Sequence, residues 1–104
     1  MVALPRLDGE GTVIAVEAKI SDWKTALKQA FRNLFSVDLS YIAIPDARVA
    51  RIDRGIFKEV GIGLLAVDGT VTRVVNPNQS VLTVPEKKQF VIDACKNRLG
   101  ELYD

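Results

Sequence analysis

Glu17 and Lys19 are the side chains in this sequence best placed to do chemistry. They stand two residues apart at the end of Thr12-Val13-Ile14-Ala15-Val16, an apolar run with the character of a buried strand. Side chains alternate across a strand, so Glu17 and Lys19 share one face and Ala18 takes the other. A charge brought to the edge of a core is costly unless something compensates it. A carboxylate beside an ammonium suits a metal ligand next to a cation that polarises water. The plain alternative is an ion pair, or two solvated residues, where a strand leaves the core.

The elements that must hold this pair can be read outward from it. Asp22 or Ser21 is placed to cap a helix from about Trp23 to Phe35, with Leu27, Ala30, Phe31 and Leu34 at helical spacing. Tyr41-Ile42-Ala43-Ile44 is short, apolar and stopped by Pro45, which predicts a second strand parallel to the first through a helical crossover. Asp46 is a candidate cap for a helix through about Val60, with Val49, Ile52, Ile56 and Phe57 inward; Gly55 weakens it by about 1 kcal/mol relative to Ala, and Gly61 closes it. Residues 62–67 and 70–75 flank Asp68-Gly69, a two-residue hairpin signal. A last helix from about Pro85 to Leu102 puts Val91, Ala94, Cys95 and Leu99 on one stripe. At the start, Leu7-Asp8-Gly9-Glu10-Gly11 reads as a hairpin turn after Val2-Ala3-Leu4. The expected fold is α/β, a single domain with a central mixed β-sheet flanked by helices.

The run Val16 to Trp23, the helix through Ala26-Leu27-Lys28-Gln29-Ala30, the strand Ser40 to Pro45 and the later Gly61-Ile62-Gly63-Leu64-Leu65 together resemble the PD-(D/E)xK nuclease superfamily. The likeness is to nuclease-like proteins of bacteria and archaea and covers about residues 12 to 68. It implies a restriction endonuclease-like fold and a phosphodiesterase on DNA dependent on Mg²⁺ or Mn²⁺. In that reading Glu17 binds the metal, the carbonyl of Ala18 adds an oxygen, Lys19 orients or deprotonates the attacking water, and Gln29 points toward the site. The superfamily also uses an Asp from a preceding strand. Pro5 and Asp8 mimic its letters loosely, but Asp8 falls in the turn, so the expectation is a chain short of its N-terminal part, whose activity the missing Asp puts in doubt. The alternative is a non-catalytic domain that binds nucleic acid or protein on the same scaffold.

Lys24, Lys28 and Arg32 recur at four-residue steps on the first helix, one row of cations suited to DNA phosphates, or simply its solvated face. Residues 19 to 58 hold eight basic residues against four acidic ones, although net charge over all 104 residues is only +1. There is no His, so a His-based triad and a Cys/His zinc site within one chain are excluded, and a single Cys95 excludes an intramolecular disulfide. No apolar run approaches the roughly 20 residues of a membrane span, and no secretion signal opens the sequence, so a cytoplasmic location is expected. Trp23, Phe31, Phe35, Tyr41 and Phe57 fall on inward spacings and are expected in the core. A sheet without its N-terminal cover needs a partner to shield it, which predicts a homodimer.

Overall fold

Strands β2 (Val13–Ala18), β3 (Leu39–Pro45) and β4 (Gly63–Val67) run parallel and form the middle of a five-stranded sheet. Strands β1 (Val2–Pro5) and β5 (Val71–Val75) join the two edges antiparallel, in the order β1-β2-β3-β4-β5. This is a computed structural model and describes residues 2–5, 12–19 and 22–103, with side chains over 12–19 and 22–97. The mixed α/β sheet matches the expectation from sequence. The turn expected at Leu7–Gly11, Asp8 included, and Ser21 as a cap lie outside the described residues.

Two crossovers build the parallel core. Helix α1 (Trp23–Asn33) carries the chain from β2 to β3, and helices α2 (Asp46–Val49) and α3 (Arg54–Val60) carry it from β3 to β4. Both connections advance in the same direction across the sheet. Right-handed crossovers that advance the same way land on the same face. The strands record this as alternation: Val13, Ala15, Ser40, Ile42, Ile44, Leu64 and Ala66 are buried, whereas the residues between them are half-buried or exposed. Helix α4 (Pro85–Tyr103) joins the same layer, laying Val91 and Ile92 against Val13, Ala15 and Val37.

Small residues set the closeness of α1. Ala26 and Ala30 are fully buried, and the Ser40 hydroxyl donates to the Ala30 carbonyl at 2.8 Å, tying helix to strand through a buried polar group that is satisfied. Asp22 caps α1 by accepting from Thr25 N. Phe57 fills the space under α3, with the Trp23 ring centroid 5.9 Å from its own. Full burial of a side chain of this kind stabilises by roughly 1.5–3 kcal/mol.

Several expectations are corrected here. The helix foreseen over 46–60 is two, because the Asp53 carboxylate accepts from Gly55 N at 2.9 Å and starts α3 afresh; Asp46 lies inside α2 and is not its cap. The inner face of α1 uses Ala26 in place of Phe31, which is 40% exposed. Phe35 and Tyr41 are half-buried, so of the five aromatic residues Phe57 alone is fully enclosed. On α4 the inward stripe is Lys88, Val91, Ile92 and Cys95, and Ala94 is exposed. The side chain of Leu99 lies outside the described residues. The β4–β5 hairpin turns through three residues, Asp68 to Thr70.

Gly61 ends α3 at a φ of 77°, a conformation that favours glycine. Gly63 is needed for a different reason. A Cβ there would collide with Tyr41, whose ring lies over the glycine from the neighbouring strand.

Candidate active site

Glu17 lies at the C-terminal end of β2, the end of a parallel sheet where α/β proteins place their ligands. It continues the inward series Val13, Ala15, Glu17 and is 8% exposed, so its carboxylate faces the helical layer. Asn33, the last residue of α1, donates its amide to Glu17 Oε1 at 3.0 Å. One turn earlier on the same helix, Gln29 holds its Oε1 buried with no hydrogen-bond partner among the described residues. A buried acceptor without a donor is costly and invites one. The face thus carries a buried carboxylate, the amide that holds it and, four residues before that amide on α1, an orphaned amide oxygen.

Lys19 lies one residue beyond β2, where its backbone N–H donates to Ala43 O at 3.1 Å and extends the pairing. Its side chain is half-buried. The Thr25 hydroxyl, 2.8 Å from Asp22, holds the Asp22 carboxyl below its ordinary value, with Thr25 N second and the charges of Lys19 and Lys28 adding to the effect against a small opposing penalty from burial. Lys19 therefore acts electrostatically on the loop that opens α1. Ala18 sits between the two, paired with Ala43 and exposed on the opposite face.

The basic row is an exposed surface of α1. Lys24, Lys28 and Arg32 are exposed, and Lys24 Nζ lies 5.9 Å from the Trp23 ring centroid. Lys28 and Arg32 line a cleft of about 390 Å³ with Leu27, Phe31 and Val60, on the side of α1 toward α3. Successive residues turn by about 100° around a helix axis, so Gln29 and Asn33 occupy the flank next to the cations, with Gln29 and Arg32 neighbours at a three-residue spacing.

Two participants escaped the sequence reading. Asn33 was hidden by distance, since its bond to Glu17 spans 16 residues; its four-residue spacing from Gln29 beside the apolar stripe was the available signal. Asp38 is buried and accepts from Val13 N at 2.7 Å and from Lys88 Nζ at 3.0 Å, which locks β2 and α4 to the start of β3. It is architectural and stands at the opposite end of β2 from Glu17.

For a metal ion, the side chains in place offer the Glu17 carboxylate and the orphaned oxygen of Gln29. Among the described residues no three Asp, Glu, Cys or His side chains converge. Such a set does not make an all-protein cage. It does fit the way Mg²⁺ is commonly held, by one or two carboxylates with the remaining oxygens from water and substrate phosphate. A scan against protein-family models, a search of curated proteins and a search of solved structures each return no match for this chain.

Proposed function

We propose that this chain is a nuclease-like domain of the PD-(D/E)xK type, with a restriction endonuclease-like sheet, that acts on DNA phosphodiester bonds with Mg²⁺ or Mn²⁺. The observation that carries the reading is the buried Glu17 carboxylate at the end of a parallel strand, anchored by Asn33. A hydrophobic strand does not bring a carboxylate to 8% exposure, held by a dedicated amide, without cost.

Glu17 and Gln29 would hold the ion, with the Ala18 carbonyl as a further oxygen. The ion, when bound, polarises a phosphoryl oxygen and offsets charge in the transition state. Asn33 orients the Glu17 carboxylate through its bond to Oε1. Lys19 donates to the phosphate or to the attacking water and balances the negative charge that builds there. Lys24, Lys28 and Arg32 contact backbone phosphates further along the duplex without reading sequence. On this proposal the chain acts in the cytoplasm as a homodimer; among the described residues no helix is long and apolar enough to cross a membrane.

Incubation with plasmid and with branched DNA in Mg²⁺ or Mn²⁺ tests this directly. Cleavage is expected, and both Glu17→Gln and Lys19→Ala should lower its rate by about 100-fold or more, the scale of losing one group that stabilises the transition state. Cleavage that persists in the double variant overturns the assignment.

A second reading, a non-catalytic domain on the same scaffold, is favoured by the absence of three converging metal-ligating side chains among the described residues. It predicts salt-dependent DNA or protein binding with no heat on titration with Mn²⁺ and no cleavage.

A further inference from the structure

Helix α1 carries two rows of side chains next to each other. Lys24, Lys28 and Arg32 form the cationic row. One residue behind it, Trp23, Leu27 and Phe31 form an apolar row, which Phe35 continues at the same four-residue step just past the helix end. Rings and cations meet along this line: Lys24 Nζ approaches the Trp23 ring, and Lys87 Nζ lies 5.8 Å from the Phe35 ring centroid. Phe31 stays 40% exposed, and Phe35 sets its orientation, with the two centroids 6.3 Å apart and the planes at 84°.

The Phe31 ring stands where two clefts meet. With Lys28 and Arg32 it lines the cleft of about 390 Å³, and with Glu59, Asn78 and Gln79 it lines a second of about 340 Å³; Val60 walls both. Clefts of this size take a group as large as a small ligand. We infer that this groove binds an unpaired nucleic-acid strand. One base stacks on Phe31, the flanking phosphates meet Lys28 and Arg32, and the exposed amides of Asn78 and Gln79 face the edge of the base. Stacking of this kind tolerates any sequence, because every base has a π-face.

Charge and pattern select this occupant. Among the described residues lining the first cleft there are two cations and no carboxylate, which suits a polyanion; Glu59 lines the second. The pattern distinguishes one polyanion from another. Ring and cation recur together along α1, as base and phosphate do along a strand, whereas an acidic peptide calls for the cations and leaves the rings idle. A duplex keeps its bases stacked on one another and offers phosphates to the cationic row, so it too leaves Phe31 unused. An unpaired strand engages both rows. The inference rests on the nuclease-like reading in taking that strand to be DNA, but the groove is built without Glu17, Gln29 or the ion.

Fluorescence anisotropy of the full chain in EDTA, where no metal-dependent cleavage contributes, tests the groove. A labelled oligothymidylate of about 15 nucleotides should bind more tightly than a duplex of the same length. Phe31→Ala should weaken its binding by about 10-fold, and Phe31→Trp, which keeps a stacking face, should retain the parent affinity. Replacing Lys28 and Arg32 by Ala should flatten the dependence of log affinity on log salt by about 0.7 for each cation removed. Phe90→Ala, which removes an exposed ring on α4, should leave binding unchanged, with far-ultraviolet circular dichroism reporting that each variant is folded. No binding, a duplex bound as tightly, or equal affinity with and without the Phe31 ring overturns the inference. So does an unmoved salt slope, a loss in Phe90→Ala that matches the one in Phe31→Ala, or tighter binding of polyglutamate of matched charge, which assigns the groove to an acidic peptide. Absence of cleavage when Mg²⁺ or Mn²⁺ is supplied counts against the nuclease-like reading and leaves the groove standing.

Discussion

The two faces of one sheet differ more than any two elements of this molecule. On one, Ile42, Ile44, Leu64 and Phe57 are sealed beneath helices, with Ser40 and Asp38 buried only because each has a partner. On the other, the interleaved residues of the same strands are almost as apolar but have no helix over them. Strand composition is therefore a poor guide to which face is covered. The handedness of two crossovers decides it, and the polar residues follow: Glu17, Asp38 and Ser40 all lie on the covered face, where hydrogen bonds hold them.

Substitutions can break or sharpen that contrast. The largest effect is expected from Phe57→Ala, which empties a fully enclosed site and should cost about 3–5 kcal/mol in urea denaturation. Leu65→Ala on the bare face, measured at concentrations where the chain is monomeric, should cost about 1 kcal/mol. Similar losses at the two positions would mean that the bare face is covered within one chain. A smaller effect is expected from Gly63→Ala, whose added methyl must displace the Tyr41 ring and should cost about 1–3 kcal/mol. Tyr41→Ala in the same chain should return part of that loss, and strict additivity would show that ring and glycine do not meet.

The smallest effect concerns the junction that swings the chain from strand to helical layer. Thr25 keeps the Asp22 carboxyl below its ordinary value in the folded chain, so its contribution is fully present above the unfolded value and is lost as pH falls through the lowered one. Amide exchange in the first turn of α1 should accelerate over that acid range. Asp22→Asn should flatten the response, and an unchanged pH profile in the variant would remove Asp22 as its source.

Much of this was legible in the residues. The strand 13–18, the helix from Trp23, the parallel return at 39–45 and the closing role of Gly61 follow from alternation, helical spacing and capping chemistry, which act over a few residues. The break between α2 and α3 was signalled by Asp53 but outweighed by an apolar pattern that ran through it. Phe31 has helical spacing yet faces outward, because α1 packs closely through Ala26 and Ala30 and leaves an aromatic ring no room beneath it.

By itself, then, the sequence determined most of the elements and their order, since each of these depends on neighbours close along the chain. Tertiary structure alone decided that Asn33 reaches Glu17 across 16 residues and that Asp38 meets Lys88 across 50. It decided also that the described helices lie on one side of the sheet. Contacts between distant segments depend on how crossovers turn and how closely layers approach, and no local pattern encodes either quantity.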